Sequence, residues 1–181
     1  MKLDKHVAPG IHRVEDARVN WYLVEGEGGL TVVDAGVRAS WGSLHEALRK
    51  LGRSTADVRA LVLTHAHFDH VGFAERARLE LGIPVYVHEN DATLARKPMQ
   101  YTHERSRSRY LLTKPKALPI VLGLVRTGAF WPPGVREVER FADSSLPVPG
   151  SPEVVFTPVT RWGTARSRSP NATLSSPATR S

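Results

Sequence analysis

A chain of 181 residues, 41% apolar and 24% charged, has the make-up of a globular protein and is long enough to bury a sizeable core. No apolar run approaches the roughly 18 residues of a membrane span, and the charged start Met1-Lys2-Leu3-Asp4-Lys5-His6 leads into no apolar signal core, so a cytoplasmic location without a membrane partner is expected. The absence of cysteine excludes disulfides and thiolate metal sites; the formal charge of +7 includes Arg161, Arg166, Arg168 and Arg180 in an acid-free tail, and without those four it drops to about +3, too little for a nucleic-acid-binding face.

Residues Asn20 to Glu25 and Leu30 to Asp34 are rich in β-branched and aromatic side chains, with Gly26, Gly28 and Gly29 between them, a pattern that predicts a hairpin. Trp41, Leu44, Leu48 and Leu51 then recur at helical spacing. Ser43 with Glu46 fits a capping box, and Gly52 follows as a stop, so an amphipathic helix is expected over Ser40 to Leu51. Val58 to Thr64 has a continuous apolar centre, the mark of a strand covered on both faces. Val71 to Leu81, ended by Gly82, predicts a second helix, and Ile83 to His88 a further strand with a proline at its start. Strands and helices alternate, so helices layered on a sheet are expected, an α/β architecture.

Between Asp91 and Ser145 the pattern predicts a helical or irregular excursion over the site. It includes the apolar segment Leu118 to Val125 and the basic run Arg105, Arg107, Arg109, Lys114 and Lys116, which reads as a solvated face or a lid rather than a nucleic-acid contact. Turns follow at Trp131-Pro132-Pro133-Gly134 and from Pro147 to Pro152, and then a strand at Val154 to Thr157. After Pro158 the composition shifts to Arg, Ser, Thr, Ala and Pro, which predicts a segment without a packed element.

The stretch that carries chemistry is Thr64-His65-Ala66-His67-Phe68-Asp69-His70, directly after the buried strand. His65 and His67 are two apart, so in extended backbone their rings leave the same side and can share one metal ion. Asp69 and His70 come as the chain turns toward the next helix, which aims them at a neighbouring position. Such a cluster serves to activate water as a nucleophile on metal, with a carboxylate such as Asp69 to orient that water or take its proton. With nitrogen and oxygen ligands, zinc is the expected metal, with iron or manganese as alternatives.

This string resembles the His-x-His-x-Asp-His signature of the metallo-β-lactamase superfamily. The earlier strand ending Val33-Asp34-Ala35-Gly36 and the later strand Val85-Tyr86-Val87-His88 agree with the resemblance, which spans about residues 10 to 158. It implies a four-layered αββα sandwich, two metal ions held in part by His65, His67, Asp69 and His70, and Asp34 behind them as a residue that orients a ligand or its loop. Reactions on this scaffold range over β-lactams, thioesters, lactones and phosphodiesters, so the fold does not choose among them. An ester, thioester or lactone of a small molecule is the preferred substrate, with Tyr110, Leu111, Leu112, Phe130 and Trp131 as candidate pocket residues.

The chain departs from that pattern after Thr157. Where the family has a Thr-Pro-Gly-His-Thr-x-Gly-His-type segment, this chain reads Thr157-Pro158-Val159-Thr160-Arg161-Trp162-Gly163, and no histidine follows His103. Restoring one base after Pro158 allows the tail to be read as Thr-Pro-Gly-His-Thr-Val-Gly-His, with Thr-Gly-Asp-Ala further on. Residues 1–158 are therefore expected to form a partial metallo-β-lactamase-like domain, and 159–181 a disordered, out-of-frame tail. A catalytic zinc takes three protein ligands, and only His65 and His67 remain for the first position, so an inactive or impaired enzyme is expected. The alternatives are a non-enzymatic metal- or nucleic-acid-binding fragment, or an active enzyme recruiting His88, Asp91 or His103.

Overall fold

The computed structural model describes residues 1–98, 133–142, 146–158 and 170–175. Among these residues seven strands form one sheet in chain order: β1 (Lys2–Ala8), β2 (Ile11–Asp16), β3 (Val19–Gly26), β4 (Gly29–Val33), β5 (Val58–Leu63), β6 (Val85–His88) and β7 (Glu139–Phe141). β1 to β4 run antiparallel to their neighbours, and β4 to β7 are parallel. The parallel half needs crossovers, which are supplied by helices α1 (Trp41–Lys50) and α2 (Ala74–Leu81) and by a longer connection that includes α3 (Ala92–Arg96). The loops at the carboxyl ends of β4, β5 and β6 consequently lie side by side.

The expected hairpin is β3–β4, with Gly26 opposite Gly29 across the turn Glu27-Gly28. The β2–β3 hairpin, by contrast, turns on Ala17 and Arg18, which both carry positive φ without the glycine or asparagine usual there. Helix α1 buries Trp41, Leu44, Ala47 and Leu48 and ends in a Schellman motif: the Arg53 amide donates to Leu48 O, that of Gly52 to Arg49 O, and Gly52 has φ 71°. The capping box expected from Ser43 and Glu46 does not form. The helix begins at Trp41 behind a turn of 3-10 helix, so Ser43 lies inside the first turn, where its hydroxyl donates to Asp16 Oδ2, and Glu46 pairs with Lys50. Helix α2 begins at Ala74 rather than Val71, because the amides of Gly72 and Phe73 are committed to the loop after β4.

β5 is buried on both faces, as its apolar run predicts. Leu61 and Leu63 join the core formed with α1, α2, Trp21, Leu30, Val32 and Val85, whereas Ala60 and Val62 face Phe141, Leu146 and Val148 on the opposite side. The Thr31 hydroxyl donates to Pro149 O and ties the 146–150 segment to that second face. The excursion expected over the site lies mostly outside the described residues, including Arg105 to Lys116, Leu118 to Val125 and the candidate pocket aromatics. The strand expected at Val154 to Thr157 is β8 (Glu153–Pro158), paired antiparallel with β9 (Pro170–Ser175). A ribbon of this kind is built from backbone pairing, which explains strand in a stretch so poor in large apolar residues. Among the described residues no helix is long and apolar enough to cross a membrane.

Glu75, in the first turn of α2, is buried and accepts from Arg78 and from the Arg136 amide, tying α2 to the segment that leads into β7. Burial alone would raise its carboxyl; the Arg78 hydrogen bonds and the Arg136 amide outweigh it and hold the pKa below the ordinary 4.5. The stabilisation is therefore present above that value and is lost as pH drops below it. Replacing Glu75 with Gln is expected to cost about 1–3 kcal/mol at neutral pH. Thermal melts followed to acid pH should show the gap between parent and variant closing below pH 4.5; a gap independent of pH would refute the assignment.

Candidate metal centre

The chain leaves β5 at Leu63, passes through His65 to His67 without regular secondary structure and turns at 68–70, where the amides of His70 and Val71 donate to His67 O. Beside it lies the loop that follows β4. The two loops are laced by backbone hydrogen bonds: Ala35 N to His70 O at 2.7 Å, Gly72 N to Gly36 O at 2.9 Å and Phe73 N to Ala35 O at 3.1 Å. Gly72 is required at that seam, because a Cβ there would run into the Val37 backbone. Phe68 packs toward Val19 and Val37 and anchors the turn from the side.

Asp34 stands at the head of the β4 loop with φ 63°, a left-handed conformation that Asp tolerates better than most residues. Its carboxylate, almost fully buried, accepts from the Thr64 amide at 2.9 Å, from the Thr64 hydroxyl at 2.8 Å and from His70 Nδ1 at 2.9 Å. A carboxylate of this kind only accepts, so the Thr64 hydroxyl donates to it and its own oxygen is left to accept from His65 Nδ1, 3.0 Å away. In its neutral form each imidazole thereby carries hydrogen on Nδ1 and has Nε2 as the lone-pair nitrogen, the arrangement by which outer carboxylates set metal-binding histidines.

The rings meet. The His65 centroid is 4.6 Å from that of His67 and 4.0 Å from that of His70, and His70 Nε2 lies 3.7 Å from Asp69 Oδ2. Burial pushes the His65 pKa down to about 4, reinforced by His70 and His67 against the pull of Asp34, so the ring is neutral at pH 7. Burial also lowers His70, but the Asp34 hydrogen bond and the Asp34 and Asp69 charges overcome it and the net shift is upward. Neutral imidazoles and a carboxylate are the donor types that suit a zinc-like cation. In number they fall short: among the described residues no three His, Asp or Glu side chains are grouped so as to hold one ion.

The structure thus brings all of His65, His67, Asp69, His70 and Asp34 to one place. His88 is buried at the end of β6, its Nδ1 accepting from the Asn90 amide and its ring against Phe141. His103 lies outside the described residues. Two contributors went unread in the sequence. Thr64 was visible only as the residue before His65, and its hydroxyl links Asp34 to that ring. Asp91 was visible only as an alternative ligand, and its carboxylate accepts from the Ala66 amide at 3.2 Å.

The family model described as the metallo-beta-lactamase superfamily matches residues 14–161. The Probable metallo-hydrolase YflN of Bacillus subtilis is 31% identical over 88 residues, 46% of this chain and 33% of that protein. Probable metallo-hydrolase YqgX, also of Bacillus subtilis, is 53% identical over 32 residues, 18% of this chain and 15% of that protein. The subclass B3 metallo-beta-lactamase BJP-1 of Bradyrhizobium japonicum superposes with a TM-score of 0.59 at 19% identity, over 81% of this chain and 48% of that one. A Cronobacter sakazakii metallo-beta-lactamase gives 0.61 at 20% identity, over 83% and 53%. The chain therefore spans about a third of the first curated relative and about half of each of these two structures. At such identities the structural likeness concerns the fold, α/β of the metallo-β-lactamase kind, as the sequence motif implies.

If Asp34 organises the loop, Asp34→Ala, which leaves the Thr64 amide and His70 without their acceptor, should lower the unfolding free energy by on the order of 3 kcal/mol. Asp34→Asn keeps an acceptor oxygen and tolerates the left-handed backbone, and is expected to cost about a third as much. Denaturant unfolding of both variants measures this, and parent-like stability of Asp34→Ala would rule the role out.

Proposed function

The chain belongs to the metallo-β-lactamase superfamily, and from that footing we propose that it carries the amino-terminal part of the metal site of a hydrolase acting on a small molecule. His65 and His67 serve one metal position, Asp69 and His70 a second beside it. Zinc is the metal we assign, one ion at each position in a complete site, and an ester, thioester or lactone the bond we assign as its target. The observation that carries the proposal is the relay from Asp34 through Thr64 to His65, and directly to His70, which turns the Nε2 lone pair of each ring outward.

The metal, when bound, supplies the Lewis acidity that makes water nucleophilic near neutral pH. The chain's own groups do the rest. Asp34 fixes both tautomers, burial keeps His65 neutral and ready to bind a cation, and Asp69, beside His70 Nε2, is placed to orient a water or accept its proton. Among the described residues two imidazoles at the first position are one protein ligand short of a catalytic zinc site, so we expect weak or absent turnover from the chain as written. We read residues from Val159 onward as out of frame, which accounts for the missing histidines. Resequencing the codons for Thr157 to Arg161 tests that reading directly, since an unambiguous second source with the same bases and an in-frame ancestry would exclude it.

Zinc titration by calorimetry, with metal content measured after dialysis, tests the site itself. The parent should bind zinc, and His65→Ala and His67→Ala should each weaken binding by roughly tenfold or more. Unchanged affinity in both variants would sink the assignment of these ligands. Two tightly held metals together with turnover of a chromogenic thioester or lactone would overturn the expectation that the site is incomplete.

A further inference from the structure

Asp91 follows β6 on a turn of 3-10 helix and occupies the N-cap position of α3. An aspartate there ordinarily spends its carboxylate on the first free amides of its own helix. This one makes no side-chain cap hydrogen bond. It points instead across to the neighbouring strand's loop, where Oδ2 accepts from the Ala66 amide at 3.2 Å. The residue is 3% exposed, and Ala66 is fully buried. Burying a carboxylate is costly and raises its pKa, as happens here, with the Ala66 amide and the neighbouring His88 opposing that rise. A helix cap at the surface would have avoided that cost.

We propose that Asp91 is a positioning residue for the metal-binding loop, holding the peptide between His65 and His67 so that both rings leave the same side toward one cation. The inference rests on the reading of His65 and His67 as ligands. Ala66 is fully buried between His65 and His67, whose rings meet at 4.6 Å, so an anchor on its amide fixes the peptide that joins them and holds the two rings as a pair. Asp34 holds the same loop at Thr64 and at His70. The parallel order β4, β5, β6 thus sets one buried carboxylate on each side of the central strand's loop, and Asp91 supplies the hold in the middle that Asp34 does not reach.

Amide hydrogen exchange of the metal-free protein, combined with zinc titration of the same preparations, tests this in the parent, Asp91→Ala and Asp91→Asn. In Asp91→Ala the Ala66 amide should exchange about ten- to a hundredfold faster while Leu61 and Val62 keep parent rates, and zinc affinity should fall by about ten- to a hundredfold. Asp91→Asn retains a neutral acceptor of the same shape, so both quantities should fall between parent and alanine variant; that comparison decides the matter if Asp91→Ala does not fold. Parent rates at Ala66, or a loosening shared equally by Leu61 and Val62, would overturn the proposal. Failure of the parent to bind zinc would instead remove the ligand reading, and the Ala66 exchange would still report whether Asp91 holds the loop.

Discussion

The arrangement of this molecule depends on one buried carboxylate. Asp34 ends an antiparallel strand and begins the first crossover of the parallel half of the sheet, and its two oxygens satisfy three donors from the loop after β5. Without it, the Thr64 amide and His70 Nδ1 would be buried donors lacking an acceptor, and neither histidine would have a fixed tautomer. The same residue sits in left-handed backbone, a strain of order 1 kcal/mol or more that its hydrogen bonds offset. Backbone lacing between residues 35–36 and 70–73 then carries the restraint into the start of α2.

Electrostatics in this region follow from placing few charges where little water reaches. The His65 ring lies within 5 Å of those of His67 and His70, and these neighbours add to the burial that holds its pKa down. Asp34 bonds directly to His70, which therefore takes up the proton more readily, while His65, reached only through a hydroxyl, stays neutral. One carboxylate thus gives two neighbouring rings opposite tendencies. The distinction arises from which atom bridges the carboxylate to each ring, since both rings are similarly buried.

Where local signals agreed with the tertiary environment, the sequence was readable. The β3–β4 hairpin has its glycines at the turn, α1 has its apolar stripe and Gly52, and β5 has an unbroken apolar run because it is covered on both faces. The misreadings have equally physical causes. Ser43 and Glu46 have the spacing of a capping box, but the 3-10 turn ahead of α1 moves the helix start to Trp41, and Ser43 finds Asp16 instead. The β2–β3 turn carries Ala17 and Arg18, so no composition signal marks it. Val71 continues the apolar periodicity of α2, but the amides of Gly72 and Phe73 are taken by the loop after β4, so the helix starts at Ala74.

The sequence by itself determined the kind of chemistry: four potential ligands within six residues at the end of a buried strand require little else to be recognised, since ligand type and spacing are local properties. It also determined the alternation of strands and helices along the chain. Tertiary structure alone decided how those ligands are held. Asp34 and Asp91 are separated from the loop by 30 and 25 residues respectively along the chain, and an aspartate at a strand end or helix start has the same local appearance whether it caps its own turn or reaches its neighbour. Only the parallel alignment of β4, β5 and β6 brings the two carboxylates to the same loop, because adjacency between strands joined by crossovers is a property of the sheet and leaves no periodicity in the sequence.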